Sequence, residues 1–416
     1  MIKEQYNLNE LLISISNTMD LANPVLMKHQ QRTAYIAWCM AQRSKLSYSQ
    51  RENLFLAAIL HDIGALTTNE KVSLHEMETV DAKRHCELGY HLYKSISWLS
   101  SAANIVRYHH TLACDIDSKL SDIRVQTQIL HLSDLLERLI DKDTYILHQK
   151  LDLIDKIKGL STKAFDEEVV NLLVEVAQSD KFWLDITSPR LTDILSKRFT
   201  KKSILLDLNE MKSVSLVFRS IIDFRSPFTA SHSTGVAACA SQLARYFGFS
   251  KKEIDLMEVA GYLHDIGKLA VSNDLLEKNG RLSTEEFDVM KKHAYESYQI
   301  LSQISGFETI TEWAVLHHEK LDGHGYPFAL DGGDISLGSR IFAVSDIFTA
   351  LTEDRPYRKA MTKEQTMNVL KYSVKKNHLD PIVVNTLLDN YDEIYEYLKD
   401  EKEKAINSYN SFMNLY

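Results

Sequence analysis

The strongest constraint on the fold of this chain is an internal repeat. The segment "LHDIGAL" at residues 60–66 returns as "LHDIGKL" at residues 263–269, and the interval between them is long enough to hold a whole domain. Matching segments that recur in the same order along a chain mark a duplicated structural unit. Further matches on either side of these segments therefore decide between duplication and coincidence.

Histidines and aspartates keep the same order in both halves. The first two histidines are 32 residues apart in each half, and the third precedes a histidine pair by 24 residues in each half. The first-half set is His29, His61, Asp62, His85, His109, His110 and Asp134, and the second-half set is His232, His264, Asp265, His293, His317, His318 and Asp346. Two unrelated domains would not share this order, so we predict a tandem duplication with its boundary near residues 195–210.

Apolar residues recur at helical spacing through nearly the whole chain, and alternating strand-like runs are rare. Glycine and proline are few for this length, and they cluster in residues 323–338. The predicted fold is therefore all-α. We expect two tandem helical domains at residues 1–200 and 205–405, followed by a tail at residues 406–416.

Charge and composition exclude several classes of protein. The formal net charge is −9, so the chain lacks the overall basic character of nucleic-acid-binding proteins. No apolar run reaches the about 18 residues of a membrane helix, and the amino-terminal segment lacks a signal-peptide pattern. The scattered cysteines, Cys39, Cys86, Cys114 and Cys239, are interpreted as reduced core residues rather than disulfides or zinc ligands. We expect a cytoplasmic protein without DNA or membrane partners.

The second-half set predicts a metal centre, because neutral imidazoles and carboxylates are ligands of first-row transition metals. A single buried histidine is more often an ordinary core residue, and the recurrence of the whole set is what favours ligands. We expect Asp265 to bridge two divalent ions such as iron or manganese. One ion would be held by His232, His264 and Asp346, and the other by His293, His317 and His318.

Such a centre suits hydrolysis of a phosphodiester, because two cations activate water and clamp the phosphoryl oxygens. Lys268 lies one helical turn after His264 and would neutralise charge in the transition state. The apolar surroundings in "YLHDIGKLAV" argue against a freely solvated lysine. Asp265 and Lys268 are therefore the predicted catalytic residues.

Three segments, "HDIGK", "HHEKLDGHGYP" and "SRIFAVSDIFTALTEDRPYRKA", together resemble the HD-GYP family, a branch of the HD-domain metallophosphohydrolases. The resemblance covers roughly residues 215–400. It implies a metal-dependent phosphodiesterase that hydrolyses a bacterial cyclic dinucleotide second messenger. It also implies that the seven second-half residues are the metal ligands and that Lys268 contacts phosphate.

The same resemblance implies a substrate-binding loop after the histidine pair. Its residues are Asp322, Gly323, Gly325, Tyr326 and Pro327. Arg355 and Arg358 are added as a phosphate clamp because of their charge, with an ordinary surface turn as the alternative. Some family members hold a third metal through a glutamate four residues before the first histidine, and Phe228 occupies that position here. We therefore expect two ions and a linear dinucleotide product.

The first half keeps all seven ligand types but lacks two features of the second. Ala65 stands where Lys268 stands, and "HHTLACDIDSKL" replaces the glycine-rich loop. This half resembles a degenerate HD domain, an arrangement found in the subset of the family that acts on 3′,3′-cGAMP. We expect a regulatory role for it, or a role in forming a homodimer, and metal binding by the first-half set is left open.

Two other functions fit parts of the pattern. A non-catalytic HD scaffold could bind a nucleotide or a partner, but the complete ligand set argues against it. An HD phosphohydrolase could act on another nucleotide, such as a nucleoside triphosphate or an alarmone. The substrate-binding loop at residues 322–327, called the GYP loop, argues against that. Nothing in the residues distinguishes guanine from adenine, so cyclic di-GMP and 3′,3′-cGAMP are equal expectations.

Overall fold

The computed structural model describes residues 5–20, 23–75, 82–160, 164–199, 205–223, 231–278, 280–354 and 358–413. Within those ranges nearly all regular structure is helical, which confirms the predicted all-α class. The exceptions there include the isolated bridge of Asp322 with Asp331 and one antiparallel pair of short strands, β1 (Tyr6–Asn7) and β2 (Leu205–Leu206). Every helix in the described ranges lacks either the length or the apolar character that a bilayer crossing requires.

The chain forms two compact units. The first unit is Leu12–Ser203, and the second joins Met1–Leu11 to Ile204–Tyr416. The predicted domains, residues 1–200 and 205–405, stay a prediction. The compact units have different bounds, because residues 1–11 cluster with the second unit.

Contacts of the amino-terminal segment explain that membership. β1 pairs with β2, and the Tyr6 ring packs edge-on against Phe307 with ring centroids 5.4 Å apart. The Glu10 carboxylate accepts a hydrogen bond from the Ser305 N–H at 2.9 Å. Strands of two residues leave no periodic pattern in a sequence, so this pairing could not be predicted.

Helix α1 (Leu8–Asp20) spans the point at which the units divide. The first unit continues with α2 (His29–Arg43), α3 (Tyr48–Ile59), α4 (Thr68–His75), α5 (Ala82–Lys94), α6 (Ala103–Tyr108), α7 (Arg124–Leu139), α8 (Ile146–Gly159), α9 (Glu167–Val176), α10 (Asp180–Ile186) and α11 (Leu191–Phe199). Its short 3₁₀ helices are Pro24–Leu26, Ala113–Asp115 and Ser118–Ile123.

The second unit contains α12 (Leu208–Asp223), α13 (His232–Tyr246), α14 (Lys251–Leu263), α15 (Asn273–Leu276), α16 (Thr284–Leu301), α17 (Glu308–Val315), α18 (Leu337–Leu351), α19 (Lys363–Lys375), α20 (Pro381–Asp389) and α21 (Tyr391–Met413). Its 3₁₀ helices are Ile266–Ala270, Leu316–His318 and Gly332–Asp334.

The two units repeat the same helix packing, as the duplicated sequence predicts. In the first unit α2 packs against α3 and α7, and in the second unit α13 packs against α14 and α18. Helices α3 and α14 also begin in the same way, with capping boxes at Ser47–Gln50 and Ser250–Glu253. A short turn joins α13 to α14, so the first residue of α13, His232, lies beside His264 at the end of α14.

The four cysteines all lie within the described residues and form no disulfide with one another. Cys86 and Cys239 are buried and Cys39 is half-buried, but Cys114 is exposed. The prediction of core residues is therefore wrong for Cys114, because the segment after the first histidine pair runs over the surface of its unit as short 3₁₀ turns.

Candidate metal centre and substrate loop

Seven side chains of the second unit converge at one place. They come from helix ends or helix interiors, and all except the half-buried His318 are nearly excluded from solvent. His232 begins α13, His264 and Asp265 follow α14, His293 lies in α16, His317 and His318 lie in the 3₁₀ helix after α17, and Asp346 lies in α18. The structure therefore brings together every predicted ligand of this half.

Asp265 lies between two groups of histidines. Its Oδ1 atom is 3.5 Å from Nε2 of His293, and its Oδ2 atom is 3.2 Å from Nε2 of His264. Burial alone would raise the pKa of this carboxyl, but the neighbouring His264 and Lys268 hold it well below its usual range. Asp265 is therefore ionised, and its two oxygens face different histidines, as in a bridging carboxylate.

The remaining ligand atoms form two groups, each within 4.8 Å. One group is His232, His264 and Asp346, and the other is His293, His317 and His318. In the first group, Nε2 of His232 is 3.2 Å from Oδ1 of Asp346, and in the second, Nε2 of His318 is 3.2 Å from Nε2 of His293. These are the groups that the sequence assigned to two ions; that they bind metal stays a prediction.

Backbone hydrogen bonds fix how the imidazoles are presented. In His264, His293 and His317, Nδ1 lies 2.6 to 2.9 Å from the carbonyl oxygen of the residue three positions earlier. A carbonyl oxygen only accepts, so Nδ1 carries a proton, and in the neutral form of each ring Nε2 presents its lone pair to the centre. Burial also lowers the pKa of His317 to about 3, with His264 adding to the effect, so this ring stays neutral.

Two of these nitrogens lack a hydrogen-bond partner, and a metal cation would provide one. Nε2 of His264 and of His317 are buried and have no hydrogen-bond partner in the described part of the chain. Buried lone pairs without a partner are costly, and Nε2 of His264 also faces an ionised oxygen of Asp265 at 3.2 Å. Acceptors that point at one another in this way fit a cation between them, so the residues present suit divalent metals.

Glu353 is a part of the site that was not identified from the sequence. Nδ1 of His232 donates to its Oε2 at 3.0 Å, and Nζ of Lys402 lies 2.8 Å from its Oε1. A carboxylate behind a histidine orients the ring and raises its basicity toward a metal. Little in the sequence indicated this role, because Glu353 lies seven residues after Asp346 and beyond the end of α18 at Leu351.

We expect Glu353→Gln to weaken Mn²⁺ binding by about ten- to a hundredfold, because an amide holds the His232 ring less firmly than a carboxylate does. The measurement is calorimetric titration of metal-free protein with Mn²⁺. Glu396→Gln is the control, because it makes the same change at an exposed carboxylate. The Oε2 atom of Glu396 lies 3.9 Å from Nζ of Lys399. An affinity equal to that of the control would contradict the role given to Glu353.

The repeated glycine of "HDIG" permits a close approach between two elements. A Cβ atom on Gly267 would lie 2.0 Å from the carbonyl oxygen of His293 and 2.5 Å from the backbone nitrogen of Ser297. Gly64 in the first unit would meet the carbonyl oxygen of His85 at the same 2.0 Å. This contact sets Asp265 against α16, the helix that carries His293.

Lys268 lies beside the carboxylate of the centre. Its Nζ atom donates to Oδ2 of Asp265, and its side chain is about one-fifth exposed. The sequence placed it on a continuing α-helix, whereas the structure has a 3₁₀ helix, Ile266–Ala270, that begins after Asp265. The lysine is thus the more exposed of the two partners, with a charge that a bound anion could share.

The glycine-rich loop folds back onto the histidine pair. A Cβ atom on Gly325 would lie 2.4 Å from Cα of Glu319, so only glycine fits there. The buried Glu319 carboxylate accepts from the N–H groups of Phe328 and Leu330 at 2.7 and 3.1 Å. Glu319 is therefore the residue that fixes the far side of the loop, a role that the sequence did not reveal.

Tyr326 forms the wall of the loop nearest the centre. Its ring lies over that of His318, with centroids 4.6 Å apart and planes at 30°, and its N–H donates to the His318 carbonyl oxygen at 3.2 Å. The bond from Tyr326 to Pro327 is cis. Asp322 lies at the loop's start, where its backbone bridges to Asp331, and Gly323 has a φ of 76°.

Arg358 has a structural contact in this unit. Its guanidinium donates to the carbonyl oxygens of Ala350 at 2.7 Å and Leu351 at 3.1 Å, at the carboxyl end of α18. Its predicted contact with phosphate stays a prediction. Arg355 and Phe228 lie outside the described residues.

The first unit also brings its seven residues together. Oδ2 of Asp62 is 3.4 Å from Nε2 of both His29 and His61, and Oδ1 is 3.5 Å from Nε2 of His85. Asp134 lies 3.5 Å from Nε2 of His29. The remaining two, His109 and His110, lie with His85 in one group of candidate ligands.

Two side chains make the first centre electrostatically different. Arg138, which is half-buried, lies 2.9 Å from Oδ2 of Asp134, and the corresponding position in the second unit is Ala350. Ala65, the counterpart of Lys268, is buried. In the first centre, therefore, Arg138 lies beside Asp134, the aspartate of α7. Beside Asp62, the position that corresponds to Lys268 is occupied by Ala65.

Fold and site together define an all-α protein with a duplicated histidine–aspartate centre. The family model described as HD domain matches residues 14–169 and 216–383, and the chain belongs to this family. It is 28% identical over 408 residues to the 3′3′-cGAMP-specific phosphodiesterase 1 of Vibrio cholerae serotype O1, covering 95% of this chain and 94% of that protein.

Two further comparisons agree with this assignment. The chain is 36% identical over 181 residues to the cyclic di-GMP phosphodiesterase response regulator RpfG of Xanthomonas campestris, covering 43% of this chain and 47% of that protein. A crystal structure of a cyclic GMP-AMP specific phosphodiesterase of V. cholerae, V-cGAP3, superposes with a TM-score of 0.66 at 21% identity, covering 93% of this chain and 98% of that one. The second comparison shows a shared fold.

Proposed function

We propose that this protein is a metal-dependent phosphodiesterase that hydrolyses a cyclic dinucleotide, with 3′,3′-cGAMP as the first candidate substrate and cyclic di-GMP as the second. The observation that carries the proposal is Asp265, whose two oxygens face separate histidine groups beside the Tyr326 loop. The proposed cofactors are two divalent ions, iron or manganese, in the second unit. The proposed product is a linear dinucleotide.

Divalent ions at such a site supply Lewis acidity toward a phosphodiester and lower the pKa of water. The protein's own part is to hold the histidine lone pairs and Asp265 in fixed directions before substrate arrives. Lys268 would share its positive charge between Asp265 and the phosphoryl oxygens as negative charge grows in the transition state. Tyr326 and its loop would cover the histidine pair and hold the substrate against it.

The order of the two substrates rests on how far the relatives match. The relative that covers 95% of this chain is named as specific for 3′3′-cGAMP, whereas the cyclic di-GMP relative covers 43% of it. The resemblance noted from the sequence supports the same order, because a degenerate first HD domain is found in the subset of the family that acts on 3′,3′-cGAMP. Both observations favour 3′,3′-cGAMP.

The test is hydrolysis by the full-length, Mn²⁺-loaded protein of a panel that contains 3′,3′-cGAMP, cyclic di-GMP, a nucleoside triphosphate and an alarmone. Competition between the two cyclic dinucleotides would give the ratio of their kcat/KM values, and mass spectrometry would identify the product. We expect a linear dinucleotide, mainly from 3′,3′-cGAMP. Turnover of the triphosphate or alarmone alone would overturn the proposal, and so would binding of a cyclic dinucleotide without turnover.

We expect Gly325→Ala to lower kcat/KM by about tenfold, because a methyl group 2.4 Å from Cα of Glu319 must displace the loop that carries Tyr326. Gly333→Ala is the matched control in the same loop, since a Cβ atom there meets nothing within 4 Å. Steady-state kinetics on both variants is the measurement. Equal kinetics for the two variants would show that the loop does not contact substrate.

The proposed location is the cytoplasm, which the four cysteines support because none of them forms a disulfide. The homodimer and the absence of a DNA partner stay predictions.

A further inference from the structure

Each unit has a buried aspartate nine residues before its first histidine. Asp20 is the last residue of α1 and precedes His29, and Asp223 is the last residue of α12 and precedes His232. Both aspartates are only 1% exposed. Equal position and equal burial in the two copies indicate that the two carboxylates have the same task.

Both aspartates contact the residue that follows the histidine. Oδ2 of Asp20 accepts from the N–H of Gln30 at 3.1 Å, and Oδ1 of Asp223 accepts from the hydroxyl of Ser233 at 2.7 Å. Gln30 and Ser233 are the second residues of α2 and α13. Each carboxylate therefore holds the first turn of the helix that begins with the histidine.

These two helices are not capped by their own N-cap residues. Within the described part of the chain, the side chains of Lys28 and Ser231 make no capping hydrogen bond to α2 and α13, whereas α3, α14 and α16 begin with capping boxes. The first N–H groups of a helix have no partner inside it, and the helix dipole favours a carboxylate beside them. The distant aspartates thus take the place of local caps.

Helix α12 holds the first turn of α13 at a second point. The guanidinium of Arg219, four residues before Asp223, donates to the hydroxyl of Thr234 at 2.7 Å. On the same turn, Nε2 of His232 lies 3.2 Å from Oδ1 of Asp346. A shift of this turn would therefore move a predicted metal-binding nitrogen away from the other atoms of its group.

We infer that Asp223 is a positioning residue that acts through Ser233 to fix the direction of His232 in the second centre. In this role the carboxylate contacts neither an ion nor the substrate, and it holds the turn that carries the ligand. The inference rests on the metal centre of the proposed function, and two measurements separate the failure of one from the failure of the other.

The first measurement is calorimetric titration of metal-free, full-length protein with Mn²⁺. The second centre is identified as the binding that His264→Ala/Asp265→Ala removes. We expect Asp223→Ala and Ser233→Ala each to weaken this binding by about tenfold, an effect common for residues that orient a ligand. The double variant should lose no more than Asp223→Ala alone, because both changes break one contact.

Matched variants control for changes that are not specific to this contact. Ser241→Ala removes another buried hydroxyl of α13, which donates to the carbonyl oxygen of Ala238 at 3.1 Å, and it should keep the affinity. Asp20→Ala makes the same change in the first unit and should spare the second centre. Ser233→Ala removes a single oxygen atom, so it carries the test if Asp223→Ala does not fold. Unchanged affinity in Ser233→Ala, or additive losses in the double variant, would overturn the inference.

The second measurement needs no metal. Hydrogen exchange of the N–H groups at residues 232–235 should be about fivefold faster in metal-free Asp223→Ala than in the wild type, because the first turn of α13 has lost its cap. Exchange at the start of α14, which has its own capping box, should stay the same. Equal exchange at residues 232–235 would contradict the role of Asp223. A wild type that binds no Mn²⁺ would instead overturn the metal centre of the proposed function.

Discussion

His264→Ala/Asp265→Ala will abolish hydrolysis of the cyclic dinucleotide, whereas His61→Ala/Asp62→Ala will leave it largely intact. The first pair removes a ligand and the carboxylate whose oxygens face both histidine groups, at 3.2 and 3.5 Å. Loss of the ions removes several kcal/mol of transition-state stabilisation, which corresponds to more than about a hundredfold in rate. Single-turnover kinetics with metal in excess is the measurement.

The second pair is the matched control, because it makes the same chemical change at the same place in the duplicated fold. We expect it to alter thermal stability or regulation and to spare chemistry, since Ala65 replaces the lysine and the first unit lacks the GYP loop. Metal analysis and circular dichroism would establish that each variant remains folded. If the first-unit variant were folded and equally inactive, the first unit would take part in catalysis and the proposed division of roles would fail.

Lys268→Met will lower kcat by about a hundredfold, because a cationic contact to a transition state of this kind contributes about 3 kcal/mol. Methionine keeps the length and apolar body of the side chain and removes only its charge. Lys399→Met, at an exposed position, is the control. The reaction should be followed at saturating Mn²⁺, alongside the affinity for Mn²⁺ itself.

The affinity distinguishes two roles for Lys268, since its Nζ atom contacts the Asp265 carboxylate in the absence of substrate. A lysine that acts on the phosphate predicts a lower kcat with Mn²⁺ affinity nearly unchanged. A lysine that only orients Asp265 predicts weaker Mn²⁺ binding and recovery of kcat at high metal concentration. The second pattern would contradict the catalytic assignment and leave a positioning role.

The convergence of the seven candidate ligands was predictable because duplication displays the set twice. His85 and His293 stand at matching places in their halves, and each precedes a histidine pair by 24 residues. Glycines maintain the geometry behind this spacing, as Gly64 and Gly267 show by their identical contacts. An arrangement fixed by backbone contacts leaves a regular pattern in the sequence. The all-α fold was predictable because its apolar residues recur at helical spacing.

The supporting residues were not predictable, because they depend on side chains that meet only after folding. Glu353 supports His232 from seven residues beyond Asp346, but Glu137 supports His29 from three residues beyond Asp134. The two glutamates thus contact equivalent histidines from different positions in the sequence. Aligning the two halves therefore does not reveal either of them. Arg358 shows the same limit, since its charge suggested a phosphate contact, which stays a prediction, but gave no sign of its hydrogen bonds to the carbonyl oxygens at the end of α18.

The pairing of β1 with β2 has a consequence for the order of events on the ribosome. Tyr6 and its partner Leu206 are 200 residues apart, and synthesis at about 5 to 20 residues per second separates them by about 10 to 40 seconds. During that time the whole first unit is made and can fold, while the segment that carries Tyr6 has no partner strand. Residues translated before the first unit thus become part of the second, and the strand pair can form only after the whole first unit has been made.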